Sequence, residues 1–168
     1  MADRVDEIQH EWRRERPDID TSPQGVIGRM HRLGGLLMTE LETVYAQHGL
    51  SQGEFDVLMT LRRAGAPYER TPSELASRTM VTSGATSKRV DRLERAGLVA
   101  RRRSEGDGRG RVVGLTDAGV ELADTAFTDH MANEHRLLEG VPDGDRAALA
   151  RILGAWLERV DPDGPRAT

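Results

Sequence analysis

Apolar residues recur every three to four positions along most of this chain, and the period changes to two only between residues 99 and 115. The first pattern predicts helices and the second a pair of strands. Val5, Ile8 and Trp12 mark a short amphipathic helix over about 3–16. The segment PDIDTSP at 17–23 breaks it, and Ser22-Pro23 reads as an N-cap followed by proline in the first helical position. Ile27, Met30, Leu33, Leu37, Leu41 and Val44 then form the stripe of a long helix, which ends near His48-Gly49.

Two capping boxes follow. Ser51 with Glu54 opens a helix carrying Phe55, Leu58 and Leu61, and Thr71 with Glu74 opens a brief helix through Leu75 and Ala76. A turn at 79–82 leads to a helix over Ser83–Arg95, stopped at Ala96-Gly97. Residues 99–103 and 111–115 are predicted strands around the turn-rich tip SEGDGRG, a β-hairpin. Thr116-Asp117 caps another helix, with Val120, Leu122, Ala123, Ala126, Phe127 and Met131 at its apolar positions. Asp143 is placed to cap a last helix bearing Leu149, Ile152, Leu153, Trp156 and Leu157, and residues 161–168 read as a disordered tail. Short helix, turn, helix and charged hairpin, in that order, predict a mainly α protein with a small β-hairpin wing, a winged helix-turn-helix.

Charge changes the picture. The chain is −4 overall, yet residues 88–111 hold nine basic and four acidic residues, which leaves −9 for the rest. That asymmetry fits a nucleic-acid face on an otherwise repelling body. With 168 residues there is enough chain for one compact core. No apolar run reaches membrane-span length, the charged N-terminus is unlike a secretory signal, and the absence of cysteine excludes disulfides and thiolate metal sites. A cytoplasmic protein without a cofactor is expected. No HExxH, GxSxG, P-loop or dinucleotide motif is present, so an enzyme is not expected. The five histidines are scattered, which disfavours a metal sensor. A winged helix used only for protein contacts remains the rival reading.

The predicted 83–95 helix, wound at about 100° per residue, turns Thr86, Val90 and Leu93 inward. Gly84, Lys88, Asp91, Arg92 and Arg95 fall outward, and Arg89 lies on a flank between the two sides. An α-helix fits the major groove of DNA, so Lys88, Arg92 and Arg95 are candidates for guanine edges or phosphates. Thr82, Ser83 and Ser87, in the first turns, are candidates for phosphate or base contacts. At the hairpin, Arg109 and Arg111 are candidate DNA contacts; Arg109 suits a narrow minor groove, and Asp107 is placed to orient it.

These residues resemble the MarR family of bacterial regulators. The resemblance rests on LSQGEFDVLMTL, on the segment from TPSELASR onward, on the Leu93–Val99 junction LERAGLV, on the DGRG tip and on Leu115-Thr116 closing the hairpin. It spans about residues 23–159. It implies a homodimer with interlocked N- and C-terminal helices that binds a pseudo-palindromic operator as a repressor or activator. On that reading residues 1–20 are an added helix and 21–160 the family domain, with dimerisation helices over about 21–48 and 117–160 and a DNA-binding lobe over about 51–115. The added helix with Trp12 is similar to the urate-responsive, PecS-like branch. That narrower resemblance implies a small anionic effector such as urate, held by Trp12, Asp56, Arg89 and Arg101. Two guanidiniums suit a planar anion, and other carboxylate or phenolic anions fit them as well.

Overall fold

The computed structural model describes residues 2–79, 86–103 and 111–162. Among these residues seven helices and three strands occur in the order α1 (Arg4–Glu15), α2 (Gln24–Gln47), α3 (Gln52–Arg62), β1 (Glu69–Arg70), α4 (Pro72–Arg78), α5 (Thr86–Arg95), β2 (Val99–Arg103), β3 (Arg111–Leu115), α6 (Asp117–Leu137) and α7 (Asp143–Val160). The chain divides into two compact units, Met1–Thr43 and Val44–Thr168.

In the first unit α1 is opened by Asp3, whose carboxylate accepts from the amides of Val5 and Asp6, while Asp6 reaches back to the Asp3 amide. α1 buries Val5 against Gly28 of α2, and the Gln9 amide donates to the Thr21 carbonyl at 2.9 Å. The Arg29 guanidinium closes the contact, with Nε 2.8 Å from Asp3 and Nη2 2.7 Å from Asp6. The expected cap at Ser22 differs in detail, because its hydroxyl donates to Asp20 at 3.0 Å.

The second unit is built on α3. Val57, Leu58 and Leu61 are fully buried, together with Leu75 of α4. Val90 and Leu93 of α5, Val99 and Val113 of the sheet, and Ala123 and Ala126 of α6 complete this core. Each buried leucine contributes about 1.5–3 kcal/mol. Both predicted capping boxes form, Ser51 with Glu54 and Thr71 with Glu74. Gly49, Gly65 and Gly97 take the left-handed conformation that ends each preceding helix.

β2 and β3 form the expected hairpin and pair antiparallel, Val99 opposite Leu115 and Arg103 opposite Arg111. A third strand, the two-residue β1, pairs with β3 and gives the sheet order β1-β3-β2. It was not anticipated, since two residues carry no periodicity. At the last helix Pro142 is the N-cap residue without a side-chain bond, and Asp143 is the first helical residue. The expected cap at Asp143 is therefore corrected. α7 buries none of its residues; Leu149, Ile152, Leu153, Leu157 and Val160 are all exposed. On α2, Val26, Ile27, Met30, Leu33, Leu36 and Leu37 are exposed too. No helix among the described residues is long and apolar enough to cross a membrane.

Candidate nucleic-acid interface

Helix α5 carries the strongest segregation of apolar from charged positions in the second unit. Its buried face, Thr86, Val90 and Leu93, packs on α3, α4 and β2. Lys88, Asp91, Arg92 and Arg95 are exposed, as the winding of the sequence predicts, and so is Ser87. Among the described residues Lys88 makes no hydrogen bond or ion pair, and Arg95 donates only to the backbone carbonyl of Asp91 at 3.2 Å. At the tip end of the β2–β3 ladder Arg103 and Arg111 face each other directly, both exposed. Neither has a carboxylate partner among the described residues. Thr82, Ser83, Asp107 and Arg109 lie outside the described residues.

Three other arginines of this region are held by carboxylates. Arg92 Nε lies 2.9 Å from Oε1 of Glu54, a side chain only 5% exposed at the start of α3. The other carboxylate oxygen of Glu54 accepts from the Ser51 amide at 2.9 Å and the Ser51 hydroxyl at 2.6 Å. Arg101 of β2 reaches the opposite flank of α5, with Nη2 2.5 Å from Asp91 and Nη1 bonded to Glu94. The Asp91 hydrogen bond, followed by that of Glu94, raises the Arg101 pKa further above its ordinary value. Arg102 crosses the middle strand at Gly114 to reach Glu69 of β1 at 2.8 Å. A Cβ at Gly114 would lie 2.4 Å from Arg102 Nη2, so glycine leaves the room this bridge needs.

Two of the residues expected to hold an anion, Arg89 and Arg101, lie on opposite flanks of α5. Arg89 lies on the α3 flank of α5, over Gly53, where a Cβ would fall 2.1 Å from its Nε. Its Nη1 is buried without a hydrogen-bond partner. Asp56 is half-buried one turn after Gly53 on α3. Arg101 stands on the other flank, engaged with Asp91 and Glu94. There it lines a cleft of about 140 Å³ with Leu75, Thr86, Ser87, Val90 and Val113, and among the described residues it is the one charged side chain of that lining. Trp12, on α1 in the first unit, is 47% exposed. The carboxylates that capture Arg92, Arg101 and Arg102 were missed from the sequence. Glu54 was read only as a cap, and no spacing rule links residue 54 to 92.

The chain is 39% identical to the HTH-type transcriptional regulator PecS of Dickeya dadantii (strain 3937) over 150 residues, 89% of this chain and 90% of that protein. It belongs to the MarR family of transcriptional regulators. The family model, described as MarR family, matches residues 48–110, the span from the end of α2 to the hairpin tip. The HTH-type transcriptional repressor YetL of Bacillus subtilis (strain 168) is 31% identical over 120 residues, covering 71% of each chain. Among solved structures, AbsC, a MarR family regulator from Streptomyces coelicolor, superposes with a TM-score of 0.73 at 27% identity. That match covers 83% of this chain and 95% of AbsC. This MarR-family chain is accordingly a DNA-binding transcriptional regulator and not an enzyme, with α5 in the place of the recognition helix and the β2–β3 hairpin as its wing.

Proposed function

We propose that this regulator acts as a homodimeric repressor, binding a pseudo-palindromic operator through α5 and the wing and releasing it when a small anion binds. The observation that carries the DNA-facing part is the opposed pair Arg103–Arg111. Like charges directly opposite across a ladder destabilise a sheet. A polyanion along the wing relieves that repulsion, and Lys88 and Arg95 extend the same field onto α5. Ser87 and Arg111 then contact the backbone, with Thr82, Ser83 and Arg109 as further contacts and Asp107 orienting Arg109. The dimer reading is supported by the exposed apolar residues of α2 and of α7, more than a monomeric chain ordinarily leaves in water.

For the effector, Arg89 is the better anion donor. Its buried Nη1 has an unused hydrogen, whereas Arg101 would have to exchange two carboxylates for the ligand. Urate is the ligand implied by the family resemblance, with Asp56, one turn after Gly53 on α3, as its further partner. An anion at Arg89 draws on the recognition helix itself, so ligand and DNA oppose each other, by a coupling of about 1–3 kcal/mol. The test is a titration of the purified protein against the intergenic DNA beside its own gene, with and without urate, in wild type and Arg89→Ala. Binding that weakens with urate in wild type but not in the variant supports the whole reading. Binding indifferent to urate in both removes urate and keeps the operator; a monomer at micromolar concentration removes the dimer.

A further inference from the structure

The structure assigns Glu54 a second task beyond capping α3: through Arg92 it sets the rotation of the recognition helix and withholds that arginine from the DNA backbone. This rests on the DNA-binding reading of α5.

The argument starts from the burial of Glu54. A carboxylate at 5% exposure must find compensation within the protein, because losing water around a charge is costly. Ser51 supplies two donors to Oε2, which is all that the capping box requires. The second oxygen, Oε1, has Arg92 Nε at 2.9 Å and so takes a cation from the recognition helix. One residue earlier on α3, Gly53 leaves the space in which Arg89 lies, one turn before Arg92 on α5. Two successive residues at the N-terminus of α3 therefore receive two arginines spaced one turn apart on α5. A helix held at two points along one flank cannot roll about its axis without breaking the charged contact. The roll of α5 decides which of its side chains look into the groove, so the start of α3 sets the register of DNA reading.

This also divides the exposed cations. Among the described residues Lys88 and Arg95 have no carboxylate partner, while Arg92, exposed as it is, is already neutralised. Sequence counting makes Arg92 a DNA contact; the ion pair makes it a positioning residue.

The experiment measures affinity for a selected operator and for an unrelated duplex over a range of KCl, in the full-length wild type, Glu54→Gln, Arg92→Ala and Arg92→Lys. Glutamine can still accept from Ser51, so the cap is kept while the charge is lost. In Glu54→Gln two arginines per dimer become free for phosphate, and the log–log salt slope steepens by about 2. Its affinity for unrelated DNA rises and its preference for the operator falls about tenfold. Arg92→Ala lowers the same preference without flattening the slope, and Arg92→Lys restores part of it. If Arg92→Ala flattens the wild-type slope by about 2, Arg92 is a direct phosphate contact and the assignment fails. It fails equally if Arg92→Ala relaxes one operator base pair while Glu54→Gln keeps wild-type specificity. Should Glu54→Gln not fold, the slope of Arg92→Ala decides alone. A wild type that binds no DNA would refute the regulator reading instead, so the two failures are distinguishable.

Discussion

Gly119, in the first turn of α6, offers the sharpest test of how the wing is joined to the helix behind it. A Cβ added there would stand 2.0 Å from the carbonyl oxygen of Leu98 and 3.0 Å from its carbon. Both are backbone atoms, so no side chain can swing aside. The separation must open by at least about 1 Å, an overpacking that costs about 1–3 kcal/mol. The carbonyl it strikes accepts from the Thr116 amide at 3.1 Å, and Thr116 Oγ1 donates to the Gly97 carbonyl at 2.7 Å. Weakening one of these bonds adds about 1 kcal/mol. The better helix propensity of alanine returns about 1 kcal/mol. The net loss for Gly119→Ala is then about 1–3 kcal/mol, a fall in melting temperature of roughly 2–10 °C for a chain of this size. Thermal denaturation followed by circular dichroism, at one fixed protein concentration because dimerisation shifts the midpoint, reads it directly. A variant that melts with or above the wild type would show that α6 does not start against Leu98.

Three further outcomes are expected. Lys88, Arg95, Arg103 and Arg111 are the cations of the 88–111 stretch exposed and without a carboxylate partner among the described residues. Together with Arg109, proposed above as a further contact, and with two copies on an operator, they give a log–log salt slope of roughly −9, against about −16 if all nine basic residues of the stretch engaged phosphate; a titration in KCl separates the two. Gly53→Ala puts a Cβ 2.1 Å from Arg89 Nε and displaces that flexible side chain. Folding should change by less than about 1 kcal/mol, while the effect of urate on DNA binding drops at least tenfold; an unchanged urate response would sink the role of Arg89. Acid should loosen α1. Arg29 lowers the pKa of Asp3, and the Asp3 amide, then Arg29, lowers that of Asp6. Their contribution is therefore present above the unfolded carboxylate pKa of about 4 and is lost as pH falls below it. Amide exchange over residues 4–15, corrected for intrinsic rates, should lose protection between pH 5 and 3, and unaltered protection would contradict the contact.

The elements that the sequence revealed are those fixed by local chemistry. Ser51 with Glu54, Thr71 with Glu74, and Gly49, Gly65 and Gly97 act within one turn, and each does in the structure what its neighbours predict. The strand limits at 99–103 and 111–115 followed from the change of period. What escaped was set by distant partners. β1 exists because Glu69 and Arg70 lie beside Gly114 and Val113, not because two residues prefer to be extended. Asp143 has the chemistry of a cap, but the chain enters the helix one residue earlier, at Pro142. Arg89 and Arg101 were grouped by the family resemblance, which implies two arginines around one anion. The structure parts them to the two flanks of α5, since residue 89 faces α3 and the Asp91–Glu94 side faces β2.

The same sorting explains how a protein of net charge −4 presents a face suited to DNA. A sum over the sequence treats every arginine of the 88–111 stretch alike. In the fold, the arginines at the edges of the reading surface meet carboxylates: Arg92 with Glu54, Arg101 with Asp91 and Glu94, Arg102 with Glu69. They brace α5 against α3, β2 against α5, and one edge of the sheet against the other. The front keeps Lys88, Arg95 and the opposed Arg103 and Arg111 without such partners among the described residues. The two sets of cations differ in their neighbours, not in their charge. Neutralising the braces lowers the field available for unspecific attraction while fixing the geometry of what remains. Specificity gains on both counts, because unspecific binding is the part of affinity that scales with free charge.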